Sequence, residues 1–267
     1  MIEIKKGVLE RIGSWSDETI YVLADFDRTI TVGDSESSWS VLSKSDKVPS
    51  EYKSERQELY KTYRPIEVDE TIDENVKNEL MVEWWNKHIN LFVKYQIPES
   101  VISTATKDLS VMKFRAGGRE FLENMKKRNI PVIIISAGIG NFIEQFFEIN
   151  KCNFDNIYIV SNFIKFEKGV AVGVADNVIH SLNKNEVALT KEIKDKLGTR
   201  HNIILMGDSI GDVKMAREEL RKDALKIGFL EENIEESKPY FEKEFDVVCT
   251  NNTGLDELSK DLKILKR

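Results

Sequence analysis

The run "TIYVLADFDRTIT", residues 19–31, sets two aspartates directly behind an apolar stretch of strand length. Carboxylates lose solvation when they leave water, so acids fixed at a strand end require a compensating cation or hydrogen-bond donors. Five further strand-like runs follow at 132–135 (VIII), 157–160 (IYIV), 203–206 (IILM), 224–229 (ALKIGF) and 247–250 (VVCT), with helical patterns between most of them. Strands alternating with helices predict an α/β protein with a doubly wound, Rossmann-like parallel sheet and right-handed crossovers. Ligands in such folds gather beyond the carboxyl ends of the strands. The chain has 267 residues, 41% of them hydrophobic, enough to bury a sizeable core and carry a smaller insert.

The interval 34–112 breaks this rhythm, being long, charged and aromatic, with helical runs at 51–63, 74–95 and 99–109. It predicts an inserted helical cap over the end of the first strand, leaving 1–33 and 113–267 as the core domain. A lid in that place excludes water and adds specificity. The segment "SNFIKFEKGVAVGV", residues 161–174, predicts a hairpin turning at Gly169.

A net charge of −7 argues against a nucleic-acid polymer as partner and leaves room for a small anion held locally. The N-terminus mixes charges and lacks the apolar segment of a signal peptide, and no apolar run approaches the roughly 20 residues that cross a bilayer. A cytoplasmic protein without a membrane partner is expected; the sequence leaves the oligomeric state open. Cys152 and Cys249 have no paired spacing and read as small buried hydrophobes.

Four polar groups follow four of the strand-like runs: "DFDRT", "SAG" (136–138), "NKNE" (183–186, expected to open a helix) and "GDSIGD" (207–212). Each is weak alone; their order and their shared position past strand ends make the set informative. Together they resemble the four motifs of the haloacid dehalogenase superfamily. The segments "DFDRTIT", "IEVD", "MVEWW", "NIPVIIISAGIG", "IHSLNKNE" and "NIILMGDSIGD" resemble, more narrowly, the cytosolic pyrimidine 5'-nucleotidase family, called cytosolic 5'-nucleotidase III in animals.

Each member can be given a role. Asp25 is the expected nucleophile, forming an aspartyl phosphate that water then hydrolyses. Mg²⁺ takes oxygen ligands, and the carboxylates of Asp25 and Asp208 with the backbone carbonyl of Asp27 make a reasonable set. Asp27 is expected to protonate the departing alkoxide and then to take a proton from water. Ser136, with the amides of Ala137 and Gly138 at an expected helix start, can bind phosphate oxygens. Lys184 pairs with Asp25 and the phosphoryl group, as the superfamily resemblance also implies. Asp212 completes the metal's surroundings or orients Lys184. Thr29 is expected to hydrogen-bond the first motif loop or phosphate, and Thr31 to be structural.

In the cap, the family resemblance implies that Glu67 recognises the base. Trp84 and Trp85 point about 100° apart on a helix, so one is expected in the core; the other, or Trp39, can stack on a base. His88, His180 and His201 show no metal-ligand spacing and read as structural or solvent-exposed. The expected activity is Mg²⁺-dependent hydrolysis of nucleoside 5'-monophosphates, with pyrimidine bases favoured. The alternatives are a phosphatase or phosphotransferase for another small metabolite, transfer to a nucleoside, and a silent nucleotide-binding regulator. Retention of both Asp25 and Asp27 speaks against the last.

Overall fold

The computed structural model describes residues 1–69, 71–107, 111–175, 177–185 and 189–266. Its strands are β1 (Ile2–Ile4), β2 (Ile20–Ala24), β3 (Val132–Ile139), β4 (Ile157–Asn162), β5 (Ile164–Glu167), β6 (Val170–Val174), β7 (Asn202–Gly207), β8 (Leu225–Leu230) and β9 (Val247–Thr250). Among the described residues a seven-stranded sheet runs β1-β9-β8-β7-β2-β3-β4. All neighbours are parallel except β1 on β9.

All five residues of β2 are buried, as a central parallel strand covered by helices on both faces requires. One core packs Val22, Ala24, Ile134, Ile204 and Ile227 against helices on the first face. Leu23, Ile133, Ile135 and Leu205 fill the other. The sequence reading misses β1, an edge strand too short for periodicity to reveal, whose pairing with β9 is a long-range contact. The hairpin β5–β6 is present, with Lys168 and Gly169 at φ 51° and 78° in its turn.

The segment after β2 forms helices Val41–Lys44, Ser50–Val68, Glu74–Lys94 and Glu99–Thr106. The expected end of the third helical run at 109 lies outside the described residues. Asp73 caps the Glu74–Lys94 helix by accepting from the amides of Asn75 and Val76. The first long helix runs past the expected end at 63 and contains Pro65. This segment has a small cluster of its own, Tyr63, Met81, Trp84 and Trp85. It also buries Val41, Leu42, Tyr52 and Phe92 within the main core, so its base is continuous with the sheet layer. No described helix is long and apolar enough to cross a membrane.

Candidate active site

Strand register brings the motifs together. Ala24 pairs with Ile134 on one side and with Met206 on the other. Asp25, one residue beyond Ala24, therefore shares an edge with Ser136 and Asp208, each two residues beyond its paired position. Asp25 keeps the ladder by donating its amide to the Met206 carbonyl at 3.0 Å. A cavity of about 740 Å³ opens above this edge, and its wall includes Asp25, Asp27, Ser136, Lys184, Asp208 and Glu67.

Lys184 lies between two carboxylates, donating to Asp25 Oδ1 at 2.5 Å and to Asp212 Oδ1 at 2.7 Å. All three side chains are buried. The other oxygen of Asp212 accepts the backbone amides of Asp208 at 3.1 Å and Ser209 at 3.0 Å, completing a capping box with Ser209. Asp212 thus fixes both Lys184 and the turn that carries Asp208. Gly207 makes this possible: a Cβ there would lie 2.4 Å from that of Asp212.

Asp25, Asp208 and Asp212 each offer an oxygen within 4.8 Å of the others. Burial pushes Asp25 well above the usual carboxylate range against the attraction of Lys184, and repulsion from Asp212, Asp208 and Asp27 adds to it. Burial and then Asp212 raise Asp208 to about 7. Lys184 is raised too: burial works against its ammonium, but Asp212 and Asp25 prevail. The donor set is all oxygen and carries more negative than positive charge in a desolvated place. That chemistry fits a hard divalent cation, which would return the acids to their ionised forms.

Residues 136–139 are the end of β3, with the helix Gly140–Ile149 beginning only afterwards. The expected helix start at Ala137 and Gly138 is thus displaced by two residues. The Gly138 amide donates to Ser136 Oγ at 3.1 Å. The Ala137 carbonyl accepts three side chains, the indoles of Trp39 at 2.9 Å and Trp85 at 2.7 Å and the Asn162 amide at 3.0 Å. Asn162 also brackets Ile179, donating to its carbonyl at 2.7 Å and accepting its amide at 2.8 Å. This carries the chain from β6 back toward Lys184. Asn183, Lys184 and Asn185 belong to no described helix, and the expected helix start from Glu186 onward lies outside the described residues. The next helix among the described residues, Lys191–Leu197, begins at the Thr190 cap.

The Thr29 hydroxyl is buried and makes no hydrogen bond to a described residue, so the expected bond to the first motif loop is not formed. Thr31 closes that loop, accepting the Arg28 amide at 2.8 Å. Arg115, fully buried, donates to the carbonyls of Arg28 at 2.5 Å, Thr29 at 3.0 Å and Thr253 at 2.9 Å, and to Glu231 at 3.0 Å. It ties the loop after β2 to those after β8 and β9.

Glu67 lies on the last turn of the Ser50–Val68 helix, on the cavity wall, and is ion-paired with Arg64. Trp85 and Trp39 line the cavity as well. Trp84 is the core member of the pair, stacked on Tyr63 at 5.8 Å. His88 and His180 are buried and held to about 3 and about 4, in both cases chiefly by burial. His201 is exposed, and both cysteines are free and buried. The sequence reading misses Ser38, Asn162 and Arg115, whose contacts join residues 11 to 138 positions apart and leave no local pattern.

A mainly parallel sheet with aspartates beyond the ends of β2 and β7, and a buried lysine between them, defines a phosphatase of the haloacid dehalogenase fold. Substrate-bound phosphoserine phosphatase shares that fold at a TM-score of 0.58 and 20% identity, over 93% of this chain and 98% of that one. The chain belongs to the family described as Pyrimidine 5'-nucleotidase (UMPH-1), which matches residues 27–266. It is 33% identical over 249 residues to the 7-methylguanosine phosphate-specific 5'-nucleotidase of Drosophila melanogaster, covering 90% of this chain and 77% of that protein. The Homo sapiens protein of the same name is 34% identical over 249 residues, covering 90% and 82%. The crystal structure of cytosolic 5'-nucleotidase IIIB bound to cytidine matches at a TM-score of 0.88 and 29% identity, over 99% of this chain and 93% of that one. The chain is accordingly a 5'-nucleotidase, a hydrolase acting on nucleotides.

Proposed function

We propose that the chain hydrolyses nucleoside 5'-monophosphates to nucleoside and phosphate through a phospho-Asp25 intermediate, with Mg²⁺ as cofactor and in a cytosolic setting. The observation that carries the reading is the 2.5 Å contact between Lys184 and Asp25 beside Asp208, on the wall of a cavity that Glu67 also lines. Residues 34–112 act as the cap and 1–33 with 113–267 as the core.

The carboxylates of Asp25 and Asp208 and the backbone carbonyl of Asp27 would hold the metal. When bound, it supplies charge neutralisation for the meeting of two anions. Lys184 orients the Asp25 carboxylate and pairs with the phosphoryl group. An oxygen of Asp25 forms a bond to phosphorus as the bond to the ester oxygen breaks, and Asp27 gives its proton to the departing alkoxide. Asp27 then takes a proton from water as that water attacks phosphorus and the Asp25–phosphorus bond breaks, releasing phosphate. Ser136 and the amides of Ala137 and Gly138 receive the phosphoryl oxygens. Asp212 keeps Lys184 in place.

Glu67 accepts from the base, and Trp85 or Trp39 offers it an aromatic surface. Pyrimidine bases suit this arrangement, consistent with the family and with the cytidine in the similar structure. A 7-methylguanine base suits it too, since its positive charge favours a carboxylate and an indole, and the relatives above are named for it. The test is phosphate release from CMP, UMP, GMP, 7-methyl-GMP and a set of non-nucleotide phosphate esters, with Mg²⁺ and with EDTA. Turnover of CMP or 7-methyl-GMP well above GMP, lost in EDTA, is expected; equal rates on non-nucleotide phosphate esters would overturn the assignment.

A further inference from the structure

Asp27 does not hang free at the cavity edge. Ser38, eleven residues on, donates its backbone amide to Asp27 Oδ1 at 2.9 Å and its hydroxyl to Asp27 Oδ2 at 2.9 Å. Both carboxylate oxygens are thus held by one residue, which is itself fully buried. The hydroxyl accepts the Ile139 amide at 3.2 Å. That donor occupies a lone pair of the serine oxygen and leaves its proton directed at Asp27.

The fit around this hydroxyl is tight. A Cβ on Gly138 would stand 1.9 Å from Ser38 Oγ and 3.1 Å from Asp27 Oδ2, so only glycine leaves the space in which the two meet. Trp39, the next residue, fastens the same loop through the Ala137 carbonyl. Two consecutive residues of the segment after β2 therefore grip the loop that ends β3, and the first of them sets the Asp27 carboxylate against that loop.

We propose that Ser38 is a positioning residue for Asp27, fixing the distance and direction of its carboxyl group relative to the phosphate-binding loop. This rests on the acid–base role given to Asp27 above. Proton transfer to a departing oxygen requires hydrogen-bond reach, so a carboxyl group released to rotate loses rate even though it remains present. Ser38→Ala removes the hydroxyl and keeps the amide bond, and as a smaller residue it creates no clash.

The experiment compares the unsubstituted chain, Ser38→Ala, Asp27→Asn and the double variant on two esters, in single-turnover and steady-state modes. One ester is whichever of CMP and 7-methyl-GMP turns over faster; the other is 4-nitrophenyl phosphate, whose leaving group departs without a proton. Ser38→Ala should slow first-turnover nucleoside release roughly 10- to 100-fold, below or at the usual share of acid–base catalysis. First-turnover nitrophenolate release should stay within about 2-fold, because no protonation is needed there. In the double variant the Ser38→Ala loss should vanish, because residues acting as a unit are not additive. Equal losses on both esters, or losses that multiply in the double variant, would overturn the proposal. Inactivity of the unsubstituted chain on both esters would instead remove the hydrolytic reading beneath it.

Discussion

Trp85 donates its indole N–H to the Ala137 carbonyl at 2.7 Å, joining the helix Glu74–Lys94 to the end of β3 across 52 residues of sequence. The bond lies beside the cavity, and its acceptor belongs to the loop that carries Ser136. A helix over the sheet and the loop beneath it are held at one point, which Trp39 and Asn162 share.

Trp85→Phe should therefore lower stability by about 1 kcal/mol, the net worth of one such bond, since two donors to Ala137 remain. A urea midpoint unchanged from that of the unsubstituted chain would show the bond to be idle.

Asp25→Asn should abolish turnover and leave the fold intact, because Lys184 keeps its bond to Asp212. Burial and like charges oppose an ionised Asp25, so in EDTA the variant should unfold at no lower urea concentration than the unsubstituted chain. Measurable phosphate release by Asp25→Asn would move the nucleophile elsewhere.

Asp27→Asn should slow nucleotide cleavage by roughly 10² to 10⁴ fold, the usual share of acid–base catalysis. Steady-state rates on the preferred nucleotide decide this, and an unchanged rate would mean that the alkoxide leaves without that proton.

Adding Mg²⁺ to chelator-treated protein should raise its melting temperature, since a ligand at 100 times its dissociation constant contributes about 2.7 kcal/mol. Asp208→Asn should lose most of that shift. A melting temperature indifferent to Mg²⁺ in both would argue against a metal at Asp25 and Asp208.

Glu67→Ala should blunt discrimination among nucleotides with less effect on 4-nitrophenyl phosphate. Equal losses on both would remove Glu67 from base recognition. Because Glu67 is paired with Arg64, Arg64→Ala tests the same point from the other side.

Arg115→Ala should cost about 3 to 5 kcal/mol in urea unfolding, because it removes the cation paired with Glu231 and the donor to three carbonyls. A loss below 1 kcal/mol would show that the loops after β2, β8 and β9 hold without it.

The linear chain already carried the sheet's central strands, because buried parallel strands are continuous apolar runs, and the order in which Asp25, Ser136, Lys184 and Asp208 follow one another. It marked the hairpin at Gly169 and the helices of 34–112, whose signals lie within a few residues of one another. Three-dimensional packing was needed to show that Asp212 grips Lys184, that Ser38 holds Asp27, that Arg115 binds three loops, and that Trp85 faces the cavity while Trp84 does not. It also closes the first motif loop through Thr31, while the Thr29 hydroxyl makes no hydrogen bond to a described residue, and it moves the helix start beyond Gly138. The division follows from range: apolar periodicity is local and survives in one dimension, whereas a hydrogen bond between distant side chains is fixed by register and packing that a linear reading does not contain.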